Sequence, residues 1–205
     1  MCVTKPVKLV AIVGGSCSGK SWLAQQLEKK LAPDAACLSL DDFYFDRSYL
    51  TPGRRARLNF DHPLAIDWKR LSRALRALRG GRPAHVPTYD FSTHCRRPQH
   101  RLIEPKSVLL IEGLWLLHRR ELRPLFDFSI FLNASRQRRF ERRLYRDVSE
   151  RGRSRASVQE QFRRTVEPMH RKYVAPQARW ADLVVSKACS IRQIAQIAKT
   201  ITGRP

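Results

Sequence analysis

Eight residues carry a spacing that can grip phosphate: Gly14, Gly15, Ser16, Cys17, Ser18, Gly19, Lys20 and Ser21. They fit G-x-x-x-x-G-K-[ST], the phosphate-binding P-loop. The glycines let the backbone curl and approach an anion closely. The curled backbone aims several N–H groups at the phosphates, and the following helix adds its positive end. All eight residues are therefore candidates for triphosphate binding. Lys20 reaches toward the β- and γ-phosphates, and the Ser21 hydroxyl can ligate Mg²⁺. Cys17 reads as a spacer.

Other groups supply what a phosphate loop lacks. Asp41 and Asp42 follow a short apolar run, where acids can hold Mg²⁺ or accept a proton from an attacking hydroxyl. Glu112 ends the run Ser107-Val108-Leu109-Leu110-Ile111, the shape of a Walker-B element with a carboxylate for the metal or its water. Asp61, in Asn59-Phe60-Asp61-His62-Pro63, can accept from sugar hydroxyls, and Phe60 can pack on a ligand. Tyr89, Phe91 and His94 offer stacking and hydrogen bonds to a planar ring.

Arginines crowd the segment 134–151. At about 100° per residue, Phe140, Leu144 and Val148 share one helical face, and Arg136, Arg139, Arg143 and Arg146 fall within about 80° beside it. This predicts an apolar anchor with an adjacent cationic stripe. Arg151-Gly152-Arg153 follows, where glycine allows a bend. Such a segment can close over a triphosphate and stabilise developing charge.

The elements that must position these groups follow from periodicity and punctuation. Residues 8–13 form an apolar strand, followed by a helix with Leu23, Ala24, Leu27 and Leu31 at helical spacing. Residues 36–40 predict a second strand and 46–66 a loop. Residues 68–79 predict a helix with Leu71, Leu75 and Leu78 inward, ended by Gly80-Gly81. Strands are expected at 107–113, 127–132 and 182–185, and further helices at 157–173 and 191–201. The expected fold is α/β: a P-loop NTPase fold in which a parallel sheet carries helices on both faces. Residues 1–205 read as one P-loop domain, with a small hairpin lobe at 84–104 and an arginine-rich lid at about 136–165.

Composition bounds the rest. Forty Lys and Arg against eighteen Asp and Glu give a net charge of +22, a field that attracts polyanions. No basic stretch interleaved with aromatics of the RNA-binding kind is present. Five cysteines, Cys2, Cys17, Cys37, Cys95 and Cys189, are scattered without C-x-x-C spacing, which argues against a disulfide framework or a zinc site and for a reducing compartment. No apolar run approaches the roughly 18 residues that span a bilayer. A cytoplasmic location is expected, with no membrane partner.

The set of motifs resembles the uridine–cytidine kinase family of P-loop nucleoside kinases, from about residue 7 to 185. The resemblance is carried by residues 14–21, 39–44, 59–63, 87–94, 111–113, 146–153 and 181–185. It implies phosphoryl transfer from ATP, with Mg²⁺, to the 5′-hydroxyl of uridine or cytidine, a step of pyrimidine salvage. Asp41 would be the general base and a member of the Mg²⁺ shell together with Ser21 and Glu112. Asp61 would bind the ribose, Tyr89 and His94 would read the base, and Phe60 and Phe91 would line its pocket. Arg143, Arg153 and Gln161 would contact the nucleoside side, while Lys20, Arg146 and Arg151 would neutralise phosphates. A homo-oligomer, often a tetramer, is also implied. The stretches 133–135 and 186–190 depart from the family pattern and leave GTP open as a donor. Two rival readings stay open: a phosphoribulokinase-like or other small-molecule kinase, which would have no base to read, and a nucleic-acid-binding ATPase suggested by the charge.

Overall fold

The computed structural model describes residues 7–203, apart from the side chain of Ala56. Five strands form a parallel sheet: β1 (Lys8–Gly14), β2 (Ala35–Ser39), β5 (Val108–Gly113), β6 (Phe128–Leu132) and β7 (Leu183–Val185), in the order β2-β5-β1-β6-β7. A separate antiparallel pair, β3 (Ala84–Asp90) and β4 (Cys95–Ile103), forms a hairpin.

The central strand explains its own sequence. Successive side chains point to opposite faces, and both faces of β1 are covered. Leu9, Ala11 and Val13 join one core with Leu71, Leu75 and Leu78 of α3 (Trp68–Arg79), and with Phe43 and Trp115. Val10 and Ile12 join the other core, with Leu23 and Leu27 of α1 (Lys20–Leu31) and Ile194, Ile197 and Ile201. A strand buried twice over reads as an unbroken apolar run rather than an alternating one.

The helices start and stop where side chains permit. Asp67 caps α3 by accepting from the Arg70 N–H at 3.0 Å, and each buried leucine of that helix contributes about 1.5–3 kcal/mol. The last helix, Ile191–Thr202, begins with a reciprocal capping box between Ser190 and Gln193.

Three expectations need correction. The stretch 46–66 is not wholly loop: it holds the short helix α2 (Pro52–Ala56), with proline at its first turn, and a 3₁₀ turn at Pro63–Ala65. The helix expected at 157–173 is longer and irregular. It starts as α5 (Arg155–Gln161) and passes through a π-helical turn (Phe162–Val166) into α6 (Glu167–Met169). A second π-helical turn (His170–Val174) then leads to a 3₁₀ stretch (Ala175–Trp180). The third correction concerns α4 (Arg136–Ser149). Its buried side is Arg139, Arg143 and Asp147, whereas Val148 is exposed. Phe140 does pack on Phe162, with ring centroids 5.0 Å apart, but the stripe that faces inward is charged. The closing helix is numbered α7.

Gln177, fully buried, ties the irregular rod to the segment that follows β5. It accepts from the Leu117 N–H at 2.9 Å and donates to the Leu114 carbonyl at 2.8 Å. Cys17, Cys37, Cys95 and Cys189 are free thiols; Cys2 lies outside the described residues. Among the described residues no helix is long and apolar enough to cross a membrane.

Gly113 sits where β5 ends, and a Cβ there would overlap the Leu40 side chain. Leu40 is fully buried and adjoins Asp41. Gly113→Ala is expected to lower unfolding stability by about 1–3 kcal/mol by overpacking, read as a shift in the urea midpoint. An unchanged midpoint would show that Leu40 repacks freely.

Candidate functional site

The sheet order places the functional groups side by side. β2, β5 and β1 are neighbours, and their registers align Ser39 with Glu112 and Val13 with Gly113. The carboxyl ends of these strands thus deliver Asp41, Glu112 and the P-loop to one edge, where open parallel sheets bind ligands.

The loop has the conformation its composition requires. Gly19 stands at φ 102°, in the left-handed region that glycine tolerates. Gly15 allows a close approach: a Cβ there would lie 2.7 Å from Arg139 Cδ and 2.8 Å from His170 Nδ1. Lys20 is buried and donates from Nζ to the Gly15 carbonyl at 3.1 Å. Ser21 is exposed at the mouth of the site. A cleft of about 750 Å³ runs from residues 16–23 past Asp41, Glu112 and Arg146 to Lys187 and Cys189.

The two aspartates after β2 separate in role. Asp42 turns toward the hairpin and pairs with Arg101 at 3.3 Å. Asp41 lines the cleft, and its Oδ1 is shut off from solvent without a hydrogen-bond partner. Burial and the nearby Glu112 carboxylate lift its pKa to about 6, against the pull of Lys20. Glu112 is held by the Ser39 hydroxyl, which donates to Oε1 at 2.7 Å. A carboxyl with a raised pKa and a free oxygen is suited to proton transfer or to binding a cation.

The remaining expected residues gather beside this cleft. Phe60 stacks on His94, centroids 4.3 Å apart and planes within 11°. Tyr44 contacts Phe60, Tyr89 and Phe91, and Tyr89 contacts Phe91. Tyr89 Oη and His94 Nδ1 are both excluded from solvent without a hydrogen-bond partner. Burial and the cations Arg153 and Arg55 push the His94 pKa down, so its ring is neutral at neutral pH. An aromatic floor with two unanswered polar atoms suits a flat polar heterocycle.

A relay of hydrogen bonds joins the two halves. Arg143 donates to Ser16 Oγ in the P-loop at 2.9 Å and to Gln161 Oε1 at 3.0 Å. Arg153 reaches the same Gln161 oxygen at 2.5 Å. Gln161 Nε2 donates to Asp61 Oδ2 at 3.3 Å. Arg151 lies over the Phe91 ring, 5.2 Å from its centroid. Ser16 to Ser21, Asp41, Glu112 and Arg146 line the cleft, and Asp61, Arg143, Arg153 and Gln161 lie on this relay, whereas Gly14 and Gly15 lie outside the cleft lining.

Sequence reasoning missed four residues. Thr165 donates to Asp61 Oδ2 at 2.7 Å. Tyr44 sits at the centre of the aromatic cluster and donates to the Phe60 carbonyl at 3.0 Å. His170 packs on Gly15, its pKa lowered to about 4 by burial and by Arg139. Asp147, four residues after Arg143, contacts four arginines. Tyr44 and Asp147 lie inside the stretches 39–44 and 146–153 that carry the resemblance, and Thr165 stands at i, i+4 from Gln161.

A protein-family model described as the Phosphoribulokinase / Uridine kinase family matches residues 9–193. The uridine kinase of Staphylococcus carnosus (strain TM300) is 38% identical over 183 residues, covering 89% of this chain and 88% of the relative. That of Chloroflexus aurantiacus (strain ATCC 29366 / DSM 635 / J-10-fl) is 41% identical over 182 residues, covering 88% and 87%. Among solved structures, the phosphoribulokinase of Rhodobacter spheroides superposes with a TM-score of 0.65 at 18% identity, over 87% of this chain and 69% of that one. This last likeness concerns the fold.

Folding raises the Asp41 pKa from 3.8 to about 6. The folded state therefore holds this proton more tightly than the unfolded one. The stabilisation is complete below pH 3.8 and lost as pH rises through 6. At neutral pH and without metal, Asp41→Asn is expected to stabilise the fold by about 1–2 kcal/mol. Urea unfolding of parent and variant across pH 4 to 8 measures this; a variant that is less stable at neutral pH contradicts it.

Proposed function

The chain belongs to the phosphoribulokinase/uridine kinase family, and on that footing we propose that it transfers the γ-phosphate of ATP to the 5′-hydroxyl of uridine or cytidine. The observation that carries the choice of acceptor is the aromatic cluster. Tyr89 Oη and His94 Nδ1 stand unpartnered against Phe60 and Phe91, and a base satisfies both atoms while its face stacks. A sugar phosphate offers no ring to that surface.

The chain's own groups then divide the work. The P-loop amides and Lys20 hold the β- and γ-phosphates, and the cleft toward Cys189 takes the rest of the donor. Asp61, fixed by Gln161 and Thr165, receives the ribose hydroxyls. Asp41 accepts the 5′-hydroxyl proton as that oxygen bonds to the γ-phosphorus. The bond from that phosphorus to the β-γ bridging oxygen breaks, and ADP leaves with the electron pair. Lys20, Arg146 and Arg151 offset the negative charge that moves onto the bridging oxygen.

The residues present suit Mg²⁺. Asp41 has a free buried oxygen beside Glu112, whose charge adds to burial in raising the Asp41 proton affinity, and a cation bound there would relieve that repulsion. With Ser21 they form an all-oxygen set of the kind that binds hard cations. Bound there, the ion would screen phosphate charge. A homo-oligomer in a cytoplasmic setting belongs to the same proposal.

A panel of acceptors assayed with ATP tests it: uridine, cytidine, ribulose 5-phosphate and single-stranded RNA. ADP release coupled to UMP or CMP formation is expected, with no turnover of ribulose 5-phosphate and no stimulation by RNA. Asp41→Asn is expected to lower kcat by about 10²–10⁴ while leaving the ATP dissociation constant nearly unchanged. Parental turnover in that variant would remove Asp41 as the base.

A further inference from the structure

Four arginines in the segment after β6 share one carboxylate. Asp147 has no exposed surface. Its oxygens meet Arg146 at 2.8 Å, Arg143 and Arg153 at 3.4 Å and Arg151 at 3.6 Å. The Arg153 N–H also donates to the Asp147 carbonyl at 3.0 Å. One negative charge against four positive leaves an excess of three.

This hub touches every part of the site. Arg143 reaches the P-loop through Ser16 and the acceptor side through Gln161. Arg153 meets the same Gln161. Arg151 covers Phe91 of the hairpin. Arg146 lines the donor cleft with Asp41. Val148, the next residue, is exposed, so charge rather than apolar burial sets the shape of this turn. Of the neighbouring acids, Glu167 holds Arg139 and Arg171, Asp61 holds Gln161 and Thr165, and Asp41 across the cleft adds its attraction to Arg146.

We propose that Asp147 is a positioning residue for phosphoryl transfer, gathering Arg143, Arg146, Arg151 and Arg153 into one cluster before phosphate arrives. It touches neither substrate and acts through the arginines. Its charge offsets part of their repulsion, and the excess of three is what the triphosphate meets. This rests on the kinase reading above.

Removing the charge has two opposed effects. The excess rises from three to four, which strengthens attraction for any polyanion. The arginines also lose their common anchor and spread, so transition-state contacts weaken. A purely structural carboxylate lowers stability and kcat together and brings no gain in anion affinity.

The test uses the intact protein and inorganic tripolyphosphate as probe, by calorimetry at about 50 mM salt, where screening is weak. Asp147→Asn is expected to bind tripolyphosphate about three- to tenfold more tightly than the parent. It is expected to turn over uridine about tenfold or more slowly. Asp147→Glu, which keeps the charge, should bind tripolyphosphate within about twofold of the parent. Unchanged or weaker tripolyphosphate binding by folded Asp147→Asn, or a parental kcat, overturns the proposal. Should that variant not fold, Asp147→Asn with Arg151→Gln is compared with Arg151→Gln alone, which lowers the excess from three to two. Tighter tripolyphosphate binding and a lower kcat than in that single variant are then expected, and equality in either overturns the proposal. Failure of the acceptor reading shows separately, as absent uridine turnover in the parent, and leaves the tripolyphosphate comparison intact.

Discussion

Repulsion between arginines is the constraint this structure has to satisfy. A site built for phosphates needs cations close together, and like charges at that spacing drive a chain apart. The protein meets the problem with single, well-placed carboxylates. Glu167 takes Arg139 at 2.7 Å inside the fold, and Asp147 takes four guanidiniums near the end of α4. Asp67 and Asp42 hold Arg96 and Arg101 of the hairpin. Buried ion pairs of this kind add little net stability, because desolvation offsets their attraction. They fix where the charges stand.

That solution explains which parts of the chain were readable in advance. β1, α1 and α3 announce themselves through apolar periodicity and through glycine at their ends. The P-loop and the carboxylates at the strand ends follow from motif spacing. α4 misled for a physical reason: a helical wheel assumes that the apolar side turns inward, and here the inward stripe is Arg139, Arg143 and Asp147. The π-helical turns at Phe162–Val166 and His170–Val174 have no local residue signature. The bond from Thr165 to Asp61 spans 104 residues of sequence, a distance over which no local pattern reports. The short helix Pro52–Ala56 was hidden by the proline and glycine that read as loop punctuation, although proline suits a first helical turn.

The two halves of the candidate site are built differently. The P-loop half hangs on the hydrogen-bond ladder of the sheet, which sets Glu112 opposite Ser39 and Ile12. The aromatic half hangs on side chains: a ring stack, a carboxylate held by Gln161 and Thr165, and guanidiniums that bridge to Ser16. Backbone ladders hold their register whatever the side chains are. Side-chain contacts depend on identity at every position.

The separate two-stranded hairpin shows where that difference leads. Tyr89, Phe91 and His94 belong to a lobe that shares no backbone ladder with the five-stranded sheet. Under the proposed function, substitutions there redraw the surface that meets the acceptor without disturbing the strand register that places Asp41 and Glu112. A lineage of such chains could then exchange one alcohol for another while the strand register at the phosphate end stays as it is.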